Sequence, residues 1–154
     1  MPESKSLIQE FVRAHGRGRN NLLPLLQEIV RHENYLSEDA LLEVADTLQI
    51  PASEVYGAAT FYNYLDTEFR GKYVIRLCRN ISCMMQSQSE ILSAISLFLK
   101  IKVGETTSDK KFSLLQANCL GWCHKAPAMM INNEVFTELT PQKAVQIIKE
   151  YKEK

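Results

Sequence analysis

The stretch Lys72-Tyr-Val-Ile-Arg-Leu-Cys-Arg-Asn-Ile-Ser-Cys83 marks the point where the chain changes from helix-forming to strand-forming sequence. Its first seven residues form a short run rich in apolar and β-branched side chains, which predicts a strand buried in a sheet. The strand ends in a loop that carries two thiols, Cys78 and Cys83. A second pair stands in Cys119-Leu-Gly-Trp-Cys123, again directly after a predicted strand. These are the 4 cysteines of the chain.

Strands and helices alternate after residue 72. The predicted elements are a helix from Ser87, a strand over 112–116, a hairpin over 128–136 and a last helix from Thr140. Ser87 followed by Glu90 has the pattern of a capping box, which starts a helix. The first strand-helix-strand unit is expected to be parallel, because its crossover is a helix. Residues 69–154 therefore predict an α/β domain.

The first 68 residues predict a bundle of helices. Apolar residues recur at helical spacing over residues 5–15, and a linker rich in glycine and asparagine follows. Asn21 is predicted to cap the second helix and Ser37 the third. Pro51 opens a fourth helix that is predicted to reach about Leu65. The domain organisation expected from the sequence is 1–68, helical, followed by 69–154, α/β.

Composition limits the classes of partner. The 154 residues are 45% hydrophobic, and 18 basic side chains balance 18 acidic ones. Without a net positive charge, neither duplex nucleic acid nor an anionic membrane is an expected partner. No apolar run approaches the roughly 20 residues that span a bilayer, and the N-terminus lacks the pattern of a signal peptide. We therefore expect a cytoplasmic protein, without direct membrane insertion.

In a reducing compartment, two thiol pairs indicate metal ligands or redox centres more strongly than structural disulfides. Spacing alone leaves zinc and iron-sulfur open, since both can be held by four thiolates. The order of the cysteines differs from that of plant-type ferredoxins, and a Rieske centre would need two histidines where only His124 is near. A free thiol oxidoreductase is disfavoured because Cys-x-x-Cys is absent.

Several motifs stand in one order along the chain. They are Ile50-Pro-Ala-Ser-Glu-Val-Tyr-Gly-Ala-Ala-Thr-Phe-Tyr62, Cys78-x4-Cys83, Gly104-Glu-Thr-Thr-Ser-Asp109 and Cys119-Leu-Gly-Trp-Cys-His-Lys-Ala-Pro127. From about Leu22 to Tyr151 the sequence resembles the thioredoxin-like [2Fe-2S] small subunit of NADH:quinone oxidoreductase, respiratory complex I. The same family supplies small subunits to soluble NAD-linked hydrogenases and formate dehydrogenases.

This resemblance implies a helical N-terminal part followed by a thioredoxin-like [2Fe-2S] ferredoxin domain. It implies that Cys78, Cys83, Cys119 and Cys123 all ligate one cluster, and that the chain carries single electrons. FMN and NAD(H) are then expected on a partner protein, which holds a further cluster, and not on this chain. The helices before residue 66 become a candidate docking surface for that partner. The alternative function is a structural zinc-binding interaction module.

Four residues near the thiols depart from the pattern common in the family. Met84 and Met85 follow the second cysteine, Trp122 stands where a small residue is common, and His124 replaces a frequent aspartate. Trp122 and Met84 either screen the metal site from water, dock on a partner, or pack as ordinary loop residues. His124 either couples to the redox centre or is a plain exposed histidine. Four aromatic residues, Tyr56, Phe61, Tyr62 and Tyr64, are either core or an anchor for a partner.

Overall fold

The computed structural model describes residues 2–153. It divides the chain into two compact units, one that runs to Phe69 and one that begins at Arg70. None of the helices in the described part of the chain combines the length and the apolar character that a membrane crossing requires. The fold belongs to the α/β class, as the sequence predicts.

The first unit consists of helices. They are α1 (Pro2–His15), a 3₁₀ turn (Arg19–Asn21), α2 (Leu22–Glu33), α3 (Glu38–Leu48) and α4 (Ala52–Phe61). Residues from all four α-helices form one apolar core, in which Ile8, Leu26, Val44 and Val55 are fully buried. Each large aliphatic side chain buried in this way stabilises the fold by roughly 1.5–3 kcal/mol.

Two of the predicted helix starts have different outcomes. The Ser37 prediction is confirmed, because its hydroxyl accepts a hydrogen bond from the Ala40 N–H across 3.2 Å. Asn21 stands at the N-cap position of α2 as predicted, but its side chain makes no cap hydrogen bond to that helix. Its amide instead donates backwards to the carbonyls of His15 and Gly16, at 2.8 Å and 3.0 Å. Asn21 therefore fastens the end of α1 rather than the start of α2.

Helix α4 is shorter than predicted, because Tyr62 leaves the helix in an extended conformation. Residues 62–65 then form a turn, which is closed by a hydrogen bond from the Leu65 N–H to the Tyr62 carbonyl. The aromatic residues of this region are not core. Their exposed fractions are 57% for Tyr56, 78% for Phe61, 43% for Tyr62 and 45% for Tyr64.

The second unit is a sheet with helices. Its elements are β1 (Tyr73–Cys78), α5 (Ile81–Met84), α6 (Gln88–Leu99), β2 (Phe112–Ala117), β3 (Met129–Ile131), β4 (Glu134–Phe136) and α7 (Pro141–Glu153). The strand order is β2-β1-β3-β4. Strand β1 is central and all six of its residues are buried, as an apolar β-branched sequence predicts.

The predicted parallel unit is confirmed. Strands β1 and β2 run parallel, in a register that begins with Tyr73 opposite Phe112 and ends with Cys78 opposite Ala117. Strand β3 pairs antiparallel on the other side of β1, and β4 closes the predicted hairpin. Side chains of β1, α6 and α7, among them Ile75, Ile95 and Ile148, share one apolar core.

The capping box predicted at the start of α6 is wrong. Ser87 has the left-handed backbone angles φ 60° and ψ 22° and makes no side-chain cap hydrogen bond. A capping residue needs an extended backbone to aim its hydroxyl at the first turn. The chain leaves α5 in a tight turn at Ser87, and that turn decides the backbone conformation.

Candidate metal centre

The two cysteine loops leave the sheet at the same edge. Because β1 and β2 are parallel and end at the paired residues Cys78 and Ala117, both loops start side by side. The Arg79 N–H extends the pairing by donating to the Ala117 carbonyl at 2.9 Å. From the other side, the Cys78 N–H donates to the Ala128 carbonyl at 3.0 Å. Ligands of α/β sheets commonly bind at this edge.

A short helix forms the first loop and returns its second thiol to the sheet. The Asn80 side chain caps α5 by accepting a hydrogen bond from the Ile81 N–H at 2.6 Å. The Cys83 N–H donates to the Asn80 carbonyl at 3.0 Å. The exposed fractions of Cys78 and Cys83 are only 2% and 1%, and both pack with Ala126. The first thiol pair is therefore buried.

The second loop brings its thiols together at the surface. Cys119 and Cys123 are both exposed, and their Sγ atoms are 3.2 Å apart. Gly121, between them, has φ 84°, a left-handed conformation that glycine adopts at little cost. Its N–H donates to the Cys119 Sγ at 3.3 Å. The turn at Gly121 thus both bends the loop and supplies a hydrogen-bond donor to sulfur.

Contacts between the loops unite the two thiol pairs. The side chain of Asn80 lies close enough to Cys119 to lower the pKa of that thiol, and the side chain of Ser82 acts in the same direction on the pKa of Cys123. Cys83 lies close enough to Cys78 and Cys123 for both thiols to raise its pKa. The structure therefore brings all the predicted site cysteines to one place, as two adjacent pairs.

Burial and hydrogen bonding give these thiols different acidities. Burial raises the pKa of Cys83 to about 11, because a thiolate there loses its hydration. The Gly121 N–H, followed by contacts with Cys123 and Asn80, lowers the pKa of Cys119. The pKa of Cys123 is raised, chiefly because its thiol is hydrogen-bonded to Cys119. Cys119 is thus the thiol on which negative charge is best supported by hydrogen-bond donors.

The donor set can be compared with the metal groups that four thiols bind. Within residues 2–153, no three His, Cys, Asp or Glu side chains form an arrangement that would hold a single ion. The thiols stand as one buried and one exposed pair. A [2Fe-2S] cluster takes four thiolate ligands, two on each iron, and hydrogen bonds to sulfur tune it. Four thiols in two pairs at one edge of the sheet, with a backbone N–H donating to Cys119, are a donor set that such a cluster can use.

The surface around the loops carries large apolar side chains. Ile81, Met84 and Met85 of the first loop are 70%, 61% and 81% exposed. Trp122 of the second loop is 40% exposed. Its indole stacks on the imidazole of His124, with ring centroids 5.6 Å apart. Trp122 is therefore a partly exposed loop residue with a defined stacking partner, and its screening of the site from water stays a prediction.

Sequence reasoning missed three residues that shape the site. Asn80 and Ser82 influence the pKa values of thiols on the opposite loop, and Gly121 donates to Cys119. An asparagine before the short helix α5 is a capping signal that could have been found. The contacts between loops could not, because they depend on how two distant segments of the chain meet.

Comparisons with known proteins agree with this fold. The model of the thioredoxin-like [2Fe-2S] ferredoxin family matches residues 8–152. A component of NADH-quinone oxidoreductase from Buchnera aphidicola is 36% identical over 127 residues, 82% of this chain and 78% of that protein. The corresponding component of NADH-quinone oxidoreductase from Aquifex aeolicus is 35% identical over 134 residues, which are 87% of this chain and 84% of that protein.

A solved structure shares the fold. The match is to the NAD+-reducing [NiFe]-hydrogenase in the air-oxidized state, with a TM-score of 0.78 and 22% sequence identity. It covers 89% of this chain and 24% of the hydrogenase chain, so this protein spans about a quarter of that chain's length. At this identity the likeness shows the fold alone. The family predicted from the sequence motifs is confirmed, and the chain belongs to the thioredoxin-like [2Fe-2S] ferredoxin family.

Proposed function

We propose that this chain is the [2Fe-2S] electron-carrier subunit of an NAD(H)-oxidising complex. The observation that carries the proposal is the meeting of two thiol pairs at the ends of adjacent parallel strands. The relatives, which are named as components of NADH-quinone oxidoreductase, support a complex of that type. A soluble NAD-linked hydrogenase or formate dehydrogenase is the other assembly that the resemblance implies.

In this proposal, Cys78 and Cys83 ligate one iron, and Cys119 and Cys123 ligate the other. A bound [2Fe-2S] cluster supplies an acceptor and donor of single electrons. The chain's own groups hold the ligands in place. The Gly121 N–H donates to Cys119, while burial shields Cys78 and Cys83 from water. Such donors favour negative charge on sulfur, so they assist binding of the metal by thiolates.

The chain alone is not proposed to be catalytic. Its sequence contains no G-x-G-x-x-G fingerprint for a dinucleotide, so NAD(H) and FMN are assigned to a partner protein of the complex. That partner is proposed to carry a further iron-sulfur cluster, and additional redox proteins complete the assembly. The proposed location is the cytoplasm, or the surface of the inner membrane if the complex is of the complex I type.

Exposed apolar side chains support a protein partner on both units. In the α/β unit they are Ile81, Met84 and Met85, beside the thiols. In the helical unit the exposed residues are Tyr56, Phe61, Tyr62 and Tyr64. Clusters of exposed aromatic and methionine side chains are typical of interfaces. The proposed docking surface of the helical unit is the region around the end of α4.

Anaerobic purification of the full chain tests the cofactor. Iron and acid-labile sulfide in equal amounts, visible absorption and an EPR signal on one-electron reduction are expected. Colourless protein that contains zinc and no sulfide would instead establish the interaction module. Trp122, the single tryptophan, gives a second readout. It lies between Cys119 and Cys123 in the sequence, so a cluster bound by these residues should quench its fluorescence emission. Cys83→Ser should lose much of the iron, whereas Ser89→Cys, which adds a thiol on α6, should leave the iron content unchanged.

A matched pair of variants tests the partner surface. Met85 and Leu97 lie in the same unit and are almost equally exposed, 81% and 82%. Met85 is on the cysteine loop and Leu97 is on α6. Met85→Asp should weaken co-purification of the flavin-bearing partner, and Leu97→Asp should not. Equal capture of that partner by both variants would remove the cysteine-loop surface from the proposal.

A further inference from the structure

The exposed thiol pair has a second chemical option that the buried pair lacks. The Sγ atoms of Cys119 and Cys123 are 3.2 Å apart, already in contact. A disulfide bond requires a separation of about 2.05 Å, so only a small further approach is needed. Both residues are exposed to solvent, whereas Cys78 and Cys83 are buried. The geometry therefore offers one pair, and not the other, to an oxidant in solution.

The local backbone keeps this pair close. Gly121 bends the loop with φ 84°, and its N–H holds the Cys119 sulfur from inside the turn. The Lys125 N–H donates to the Trp122 carbonyl at 2.9 Å and closes a 3₁₀ turn over Cys123–Lys125. The Trp122–His124 stack adds a side-chain contact on the same turn. Two thiols held by one short loop react as an intramolecular pair, at high effective concentration.

We propose that, in the chain without a cluster, Cys119 and Cys123 form a disulfide within their own loop, which must be reduced before a cluster is loaded. Formation of the disulfide is inferred from the geometry of the Cys119–Cys123 loop alone. The need to reduce it before loading rests on the proposed function, in which Cys119 and Cys123 are both ligands of the cluster. The loop is then a redox-sensitive gate on cofactor loading.

The oxidant that the proposal names is a small-molecule disulfide such as oxidised glutathione. One thiolate of the pair attacks a glutathione sulfur, which forms a mixed disulfide and releases one glutathione thiolate. The other loop thiol then attacks the protein sulfur of that mixed disulfide and displaces the second glutathione. The protein dithiol is oxidised by two electrons, glutathione disulfide is reduced, and both protons pass to the released glutathione.

Tryptic peptides separate the possible pairings, because Arg76, Arg79, Lys100, Lys111 and Lys125 flank the cysteines. Cys78 falls in the peptide 77–79 and Cys83 in the peptide 80–100. Cys119 and Cys123 share the peptide 112–125. An internal bond in this last peptide lowers its mass by two hydrogen atoms and abolishes its alkylation. Any other pairing joins two peptides.

The test uses the full chain, stripped of metal, reduced and then incubated with oxidised glutathione. Free thiols are alkylated before digestion. The expected result is an internal bond in peptide 112–125, with Cys78 and Cys83 alkylated. The same bond should form in the double variant Cys78→Ser, Cys83→Ser, whereas Cys123→Ser should leave Cys119 bonded to glutathione. Alkylation of both cysteines in peptide 112–125, or a bond from either to Cys78 or Cys83, would overturn the proposal.

A loading assay tests the gate. Oxidised and dithiothreitol-treated samples receive ferrous iron and sulfide under anaerobic conditions, with iron content and visible absorption as readouts. Loading should be lost in the oxidised sample and restored by the reductant. Equal loading of both samples would refute the gate. If the reduced sample also fails to bind a cluster, the proposed function fails, while the peptide map still decides whether the disulfide forms.

Discussion

The backbone N–H of Gly121 lies 3.3 Å from the Cys119 Sγ and donates a hydrogen bond to it. The same glycine has φ 84°, and a Cβ at this position would meet no atom within 4 Å. Substitution of Gly121 by alanine therefore strains the backbone but causes no steric clash. This separates the effect of the turn on the metal site from any effect of packing.

Gly121→Ala should lower the midpoint potential of the loaded protein. A side chain at positive φ costs about 1–2 kcal/mol, so the loop relaxes and its N–H turns away from sulfur. Hydrogen bonds to sulfur favour the reduced, more negative state, and their loss disfavours reduction. Potentiometric titration followed by EPR measures the change.

Gly104→Ala is the matched control for that experiment. Gly104 also has a positive φ, 94°, with no atom within 4 Å of a Cβ, but it stands in the connection before β2. It should cost similar stability and leave the potential unchanged. A shift of the same size in both variants would mean that general destabilisation, and not the hydrogen bond, sets the potential.

Trp122→Ala should raise the potential, the opposite direction to Gly121→Ala. The indole is only 40% exposed, and its removal admits water to the second cysteine loop. Water stabilises the additional negative charge of the reduced state, and solvent exposure is among the factors that set cluster potentials. Trp122→Phe, which keeps a stacking ring over His124, should shift it less. An unchanged titration curve for Trp122→Ala would show that the side chain does not screen the site.

Ser87→Gly should increase the free energy of unfolding. Ser87 has φ 60° and no side-chain cap hydrogen bond, so a glycine relieves left-handed strain of about 1–2 kcal/mol. Greater freedom of glycine in the unfolded chain offsets part of this, which leaves a gain of roughly 0.5–1 kcal/mol. Denaturation in urea of the two proteins measures the difference.

The same substitution inside the helix should have the opposite sign. Ser93 lies in the middle of α6, is exposed, and its hydroxyl donates to the Ser89 carbonyl at 2.8 Å. Ser93→Gly should destabilise the unit by roughly 0.5 kcal/mol, since glycine is the poorer helix former. If Ser87→Gly destabilises as well, the left-handed conformation at residue 87 is not a source of strain.

Stability should fall at alkaline pH because of Tyr151. Burial, followed by its hydrogen bond to the Glu134 carboxylate at 2.5 Å, raises the pKa of Tyr151 from 10.0 to about 12. Between these values the unfolded chain loses the phenol proton first, so deprotonation favours unfolding. The stabilisation is complete below pH 10 and is lost as the pH rises towards 12.

Absorbance titration of tyrosinate tests this assignment, since the chain has 6 tyrosines and Tyr151 should be among the last to ionise. Tyr151→Phe should remove that late step and flatten the alkaline decline in stability. Glu134→Gln keeps an acceptor without the charge and should move the step to lower pH. Tyr56→Phe, at an exposed position, should leave it in place. A late step that persists in Tyr151→Phe would assign it to another tyrosine.

The sequence predicts those parts of the fold whose cause is local. Strand β1 follows from the apolar, β-branched residues 73–78, and the Ser37 cap follows from a hydroxyl before an acidic first turn. Ser87 fails because a tight turn after α5 dictates its backbone, whatever the Ser-Glu pattern would favour in isolation. Asn21 makes no cap hydrogen bond because its backbone is already helical, with φ −87° and ψ −2°, and not extended.

The candidate site, like the fold, is predicted by the sequence only in part. Two thiol pairs at strand ends are visible in the sequence, and parallel pairing of β1 with β2 is enough to bring them to one edge. The sequence does not show that one thiol pair is buried and the other exposed. This difference arises because α5 folds Cys83 beneath the loop beside Ala126, while the turn at Gly121 leaves Cys119 outside. The packing of neighbouring segments, which no spacing rule contains, decides this.

The six-rung ladder between β1 and β2 has a consequence for assembly. Since hydrogen bonds of the sheet align Cys78 with Ala117, the two halves of the site are placed by folding and not by the ligand. The conformational entropy of joining distant segments has been lost before any metal arrives. Such a site is preorganised. The α/β unit should keep its secondary structure when emptied, and its affinity for a cofactor should owe little to induced folding.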